Sequence, residues 1–131
     1  MKSYDAALNL DPEHFGAWYN RGNTLVKLER FSEALDSYDE ALKLDPKNAE
    51  LWYNRAKTFE NLDKPQEAIE SYDESLRIDL NFVDAWYRRG MVMVSLGKDQ
   101  EALECFDKAL ELNPDFKPAL KAKKDISNEK S

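Results

Sequence analysis

An all-α solenoid of antiparallel helix pairs is the fold class that the 131-residue sequence predicts, on three observations. The chain repeats itself. Trp18, Trp52 and Trp86 stand 34 residues apart, and Glu33-Ala34, Glu67-Ala68 and Glu101-Ala102 recur in step, as do Tyr38, Tyr72 and Phe106, then Leu42, Leu76 and Leu110. A fixed period of this size marks stacked units that each bury an apolar face only against their neighbours. Within each unit the apolar and small residues fall at helical spacing, with no strand-like alternation. Short polar breaks or prolines punctuate the pattern at constant offsets.

The elements follow in order. Residues 1–14 carry Tyr4, Ala7, Leu8 and Asp11-Pro12 in register with a second helix alone, so the chain is expected to begin within a repeat and to be a fragment of a longer array. Repeat 1 spans 15–48. Its first helix has Trp18, Arg21, Gly22 and Leu25 at i, i+3, i+4 and i+7, and its second has Ala34, Tyr38, Ala41 and Leu42 on one stripe. Glu29-Arg30 separates the two, and Asp45-Pro46 ends the second, because a proline ring disfavours helix at the residue before it. Repeat 2 spans 49–82, with a break at Asp63-Lys64-Pro65 where Pro65 suits a first helical turn. Leu80 stands where the other repeats have proline, which predicts a looser boundary there. Repeat 3 spans 83–116, breaking at Gly97-Lys98-Asp99 and ending at Asn113-Pro114. Residues 117–131 place Pro118, Ala119 and Leu120 at first-helix positions, then Lys121, Lys123 and Lys124. They read as a capping helix with a frayed tail.

Composition narrows the function classes. With 42% apolar and 34% charged residues the chain suits one globular domain rather than a disordered segment. Nineteen basic against 26 acidic residues leave a net charge of -7, a field that repels phosphate backbones and anionic lipid, so neither nucleic acid nor membrane is an expected partner. The longest apolar stretch, Met91 to Val94, is far short of the ~20 residues of a spanning helix, and the start lacks a signal-peptide core. The expectation is a soluble, cytoplasmic protein. Cys105 has no second cysteine to pair with, and His14 by itself builds no zinc site.

These residues resemble the tetratricopeptide repeat. The resemblance runs through Trp18, Gly22, Ala34, Tyr38, Ala41 and Pro46, through Trp52, Ala68 and Tyr72, and through Trp86, Gly90, Ala102, Phe106, Ala109 and Pro114. It covers residues 1 to about 126 and implies a right-handed superhelix. Arg21, Arg55 and Arg89 depart from its usual leucine, and are expected to pair with Asp5, Asp39 and Asp73 of the preceding second helix. A glycine inside a helix costs ~1 kcal/mol against alanine, so Gly22 and Gly90 imply close helix contact, with Ala34 and Ala102 expected opposite them. The tryptophans are expected in the core. Truncating a buried one costs ~3 to 5 kcal/mol, so Trp52→Ala is expected nearly to unfold the chain.

Catalysis finds little support. His14 and Cys105 lie in different units, and no Gly-rich phosphate loop, Gly-x-Ser-x-Gly elbow or His-Glu-x-x-His motif is present. Acidic clusters such as Asp36, Asp39 and Glu40 sit on a helix, which cannot wrap a calcium ion as a loop does. No cofactor or metal is expected. The resemblance implies instead that first helices line a concave groove, whose facing positions fall on Tyr19, Asn20, Asn23, Val26 and Lys27, on Tyr53, Asn54, Lys57 and Asn61, and on Tyr87, Arg88, Met91 and Ser95. Asparagine both donates to and accepts from a peptide backbone, tyrosine offers a rigid amphipathic surface, and lysine or arginine grips a carboxylate. The strip is expected to hold few carboxylates and to bind an extended peptide or protein segment at micromolar affinity or weaker.

A narrower implication concerns members of the family that act as chaperone co-factors and hold a partner's terminal carboxylate with two asparagines and three basic residues. Asn23, Asn54 and Arg88 coincide with three of those places, while Tyr19 and Asp84 stand where lysines belong. The competing reading is a structural spacer that self-associates by end-to-end stacking, with Met1, Tyr4 and Leu8 on the exposed end.

Overall fold

A computed structural model describes residues 14–130, apart from the side chains of 129 and 130. The half repeat expected over 1–14 therefore lies, His14 excepted, outside the described residues, as do Met1, Tyr4, Leu8 and the Asp5 proposed to meet Arg21. Seven helices and no strands are found among the described residues: α1 (Phe15–Lys27), α2 (Phe31–Leu44), α3 (Ala49–Asn61), α4 (Pro65–Ile78), α5 (Val83–Ser95), α6 (Asp99–Leu112) and α7 (Lys117–Lys130). Helices α1/α2, α3/α4 and α5/α6 form three hairpins. Each second helix packs on the first helix of the following unit, and α7 packs on α6 and touches α5.

The turn inside each hairpin is built the same way. Glu29, Asp63 and Gly97 take φ of 60°, 57° and 76°, the left-handed conformation that ends a helix. The next amide reaches back five residues: Arg30 N donates to Leu25 O at 2.8 Å, Lys64 N to Phe59 O at 2.9 Å and Lys98 N to Met93 O at 2.9 Å. Only the third turn uses the residue type that takes this conformation without a Cβ penalty. First helices start differently. His14 Nδ1 accepts from Ala17 N and Asn48 Oδ1 from Leu51 N, both at 2.9 Å, so the sole histidine serves as an N-cap.

Between hairpins, Asp45, Asp79 and Asn113 each accept the amide two residues on through a side-chain oxygen. Trp52 Nε1 then donates to Pro46 O at 2.8 Å, and Trp86 Nε1 to Leu80 O at 2.9 Å. The looser boundary expected at Leu80 is not found, because this turn depends on the Asp79 side chain and the indole clasp rather than on the proline ring. The clasp also corrects the burial expected of the tryptophans. Trp18, Trp52 and Trp86 are half-buried against the core, and Trp52 and Trp86 keep the N–H on the linker.

The fully buried large residues are Tyr38, Tyr72 and Phe106 on the second helices, with Leu25 and Leu51 on the first. They fall in two clusters, one through repeat 1 and the start of α3, the other through repeats 2 and 3 and α7. Gly22 and Gly90 press closest on aromatic rings of the second helices, nearer than the Ala34 and Ala102 expected opposite them. A Cβ on Gly22 would lie 2.5 Å from Tyr38 Cε1, and one on Gly90 2.6 Å from Phe106 Cε1.

Candidate functional site

The first helices α1, α3, α5 and α7 line a row of four adjoining depressions. Between α1 and α3, 320 Å³ are enclosed by Asn23, Val26, Lys27, Tyr38, Asn54, Lys57, Thr58 and Asn61. Between the starts of α3 and α5, 630 Å³ are bounded by Glu50, Tyr53, Asn54, Lys57, Asp79, Phe82 and Asp84. Farther along the same pair, Glu60, Asp63, Tyr87, Arg88, Met91 and Ser95 bound 430 Å³. The last, of 230 Å³, lies between α5 and α7 and is lined by Tyr87, Met91, Val94 and Ile126 among others.

Most of the residues picked from the sequence line this row. Asn23, Val26, Lys27, Asn54, Lys57 and Asn61 share the first depression, and Tyr87, Arg88, Met91 and Ser95 share the third. Asn20 is exposed on α1, and Tyr19 lies at the α1/α3 junction, where its hydroxyl accepts from Asn54 Nδ2 at 2.8 Å. The tyrosines are wedged rather than free. Tyr19 packs edge-on against Tyr38, Tyr53 stands 4.8 Å from the Phe82 ring, and Tyr87 lies against Phe106 and Phe116.

Of the residues at the carboxylate-holding places, Asn23 and Asn54 share the first depression and Arg88 lines another. Asn23 Oδ1 accepts the Tyr38 hydroxyl at 2.6 Å, and Asn54 spends one amide hydrogen on Tyr19, the residue standing where a lysine belongs. Arg88 lines the third depression, facing Tyr53, Tyr72 and Glu60. Nor is the strip poor in carboxylates. Glu50, Glu60, Asp63, Asp79 and Asp84 line it; the sequence singled out Asp84 alone of these, although Glu60 occupies the register held by Val26 and Val94 in the other repeats.

Lys57 sits at the centre, its Nζ 5.0 Å from the Tyr53 ring and its side chain shared by two depressions. Burial lowers its pKa and the Arg88 charge adds to the effect, against the opposing pull of the Glu60, Asp84 and Glu50 carboxylates. Tyr72 donates to Glu60 Oε2, which ties the second helix of the middle repeat to its groove wall. Burial, then the hydrogen bond to Glu60, raises the Tyr72 pKa.

His14 caps a helix, and Cys105 is buried with its thiol at 3.0 Å from Arg89 Nη1, a place filled by Ser37 and Ser71 in the other repeats. Among the described residues no group of three or more His, Cys, Asp or Glu could hold a metal ion, and no helix is long and apolar enough to cross a membrane.

Comparison with known proteins agrees with this fold. Tetratricopeptide repeat profiles match residues 49–82, 83–116 and 3–36, and a TPR repeat profile matches 22–63. A search of curated protein sequences finds no match. Among solved structures, MamA superposes with a TM-score of 0.86 at 25% identity, over 90% of this chain and 69% of that one. The Arabidopsis OM64 TPR domain gives 0.84 at 33% identity, over 89% of this chain and 97% of that one. The first TPR of Spaghetti (RPAP3), bound to the HSP90 peptide SRMEEVD, gives 0.83 at 28% identity, over 91% and 94%. With repeat profiles over more than half its length and helices at the same period, the chain belongs to the tetratricopeptide repeat family.

Proposed function

We propose that the chain is a protein-interaction scaffold, a binding module without chemistry of its own, which holds an extended peptide or protein segment along the row of depressions on its first helices. The row itself carries the reading: adjoining hollows of 320, 630 and 430 Å³, walled by asparagine amides, tyrosine rings and the Lys57 and Arg88 cations, suit the chemistry of an extended backbone with side chains. Support by analogy comes from the RPAP3 domain, whose structure was determined with the peptide SRMEEVD. The binding residues proposed are Tyr19, Asn20, Asn23, Lys27, Tyr53, Asn54, Lys57, Tyr87 and Arg88. Charge-assisted contacts at ~1.5 to 3 kcal/mol each, set against ~4 kcal/mol or more of lost rigid-body freedom, fit micromolar affinity. An acidic surface and one buried thiol suit a reducing compartment, so a cytoplasmic setting belongs to the proposal.

The spacer reading finds less support. Lys124 stands on α7 at the register of Gly22 and Gly90, where a following second helix would press an aromatic ring, and a lysine there obstructs further stacking. Amide shift mapping with pooled random ten-residue peptides separates the two. Shifts on Asn54, Lys57 and Arg88 with a constant light-scattering mass support groove binding, whereas silent groove amides with a mass that rises with concentration favour the spacer.

A further inference from the structure

The groove's charges are sorted, not mixed. The depression between α1 and α3 is lined by Lys27 and Lys57 together with Asn23, Asn54 and Asn61, and no carboxylate lines it. The adjoining depression between the starts of α3 and α5 has Glu50, Asp79 and Asp84 against the single cation Lys57, with the Tyr53 and Phe82 rings as its wall. Asn54 and Lys57 line both, so the basic and acidic halves meet at those two side chains. None of the three carboxylates joins an ion pair among the described residues. Asp79 accepts the Asn81 amide, Glu50 bears on the Tyr19 hydroxyl, and Asp84 bears on Tyr53 and Lys57.

Three exposed carboxylates around an aromatic wall attract an ammonium or guanidinium group, through charge-assisted hydrogen bonds and through the ring faces. The same three repel an anion, which makes them a filter as well as an attraction. Resting on the groove reading above, we propose that the occupant is a bipolar segment: an acidic residue lies over Lys27 and Lys57, and a lysine or arginine a few residues away enters the hollow bounded by Glu50, Asp79, Asp84, Tyr53 and Phe82. Asp84 is the selector, since it stands where a lysine would instead favour a second carboxylate.

Selection of a phage-displayed random ten-residue library on the immobilised protein tests this, run in parallel on wild type, Asp84→Asn, Asp84→Lys and Lys57→Ala. Wild-type winners should carry an acidic and a basic residue within a few positions of each other, with basic residues enriched about five-fold over input, a ratio in the range of one exposed ion pair. Asp84→Asn should reduce that basic enrichment and Asp84→Lys abolish it, with acidic enrichment kept or increased. Circular dichroism confirms folding, because Asp84 lies in the first turn of α5 where a negative charge complements the helix dipole. Basic enrichment absent from wild type, or equal in Asp84→Lys, overturns the charge sorting while acidic enrichment sensitive to Lys57→Ala leaves the groove standing. Absence of any enrichment, or enrichment unchanged in all variants, overturns both.

Discussion

Arg55 of α3 reaches across the repeat junction to Asp39 of α2, its Nε 2.9 Å from the carboxylate. The pairing recurs one period later between Arg89 and Asp73 at 2.6 Å, and again between Lys123 and Asp107 at 2.6 Å. The arginines also point inward along their own hairpins, Arg55 Nη1 to Ser71 Oγ at 2.7 Å and Arg89 Nη1 to the Cys105 thiol. Each of these two arginines thus joins two hairpins. Arg55 also lies over Trp52 and Phe59, at 5.4 and 4.9 Å from the ring centroids.

Arg55→Leu removes both hydrogen bonds and strands Ser71, which is fully buried. The expected loss is about 1 to 2 kcal/mol in urea unfolding at low salt. Asp39→Asn should lose less, about 0.5 kcal/mol, because the carboxylate is half-exposed and screened. Both losses should shrink in 0.5 M salt, and an Arg55→Leu protein of unchanged stability would contradict the junction role.

Gly22→Ala and Gly90→Ala should each cost about 1 to 3 kcal/mol, although helix propensity alone favours alanine by ~1 kcal/mol. The new methyl group meets the Tyr38 or Phe106 ring, and both rings are fully buried with nowhere to retreat. The middle repeat already has Ala56 at this register, so Ala56→Gly should destabilise by propensity and lost packing. Thermal unfolding of the three variants checks the opposite origins of these effects.

Glu29→Gly and Asp63→Gly should stabilise by up to about 1 kcal/mol, raising the melting temperature by about 3 °C each. Both residues hold positive φ with a Cβ, where the third turn has glycine. Gly97→Ala should fall by a similar amount.

Alkaline pH should destabilise the fold. Burial, then the Glu50 carboxylate, pushes the Tyr19 hydroxyl up to about 12 from its ordinary 10.0, and burial drives Tyr38 and Tyr72 the same way. The folded state therefore keeps protons that the unfolded chain releases, so stability is fully present below the ordinary value and is lost as pH rises through the folded one. Cys105, raised by burial, adds to the loss from a lower starting point, while Lys57, lowered by burial, opposes it. Urea midpoints should fall steadily between about pH 9 and 11, and Tyr72→Phe should flatten that fall.

Much of this was legible in the residues. The 34-residue period and its breaks fixed every described helix, since a stripe at helical spacing has few other ways to bury itself. The Arg55–Asp39 and Arg89–Asp73 pairs were readable because the resemblance supplied which helix precedes which. What escaped was three-dimensional. The indole clasp on Pro46 and Leu80 depends on a linker carbonyl that no residue type announces. The rings facing Gly22 and Gly90 follow from hairpin crossing, which a linear pattern does not give. The carboxylates Glu50, Asp79 and Asp84 belong to three elements and converge only when two repeats stack.

The central claim is that the face of first helices holds a partner segment, and fluorescence anisotropy with a labelled peptide recovered from display tests it most directly. Lys57→Ala and Asn54→Ala should weaken binding about ten-fold, a loss of ~1.4 kcal/mol, while Glu74→Ala and Lys108→Ala on second helices leave it unchanged. Equal affinity across all four variants and wild type would contradict the account.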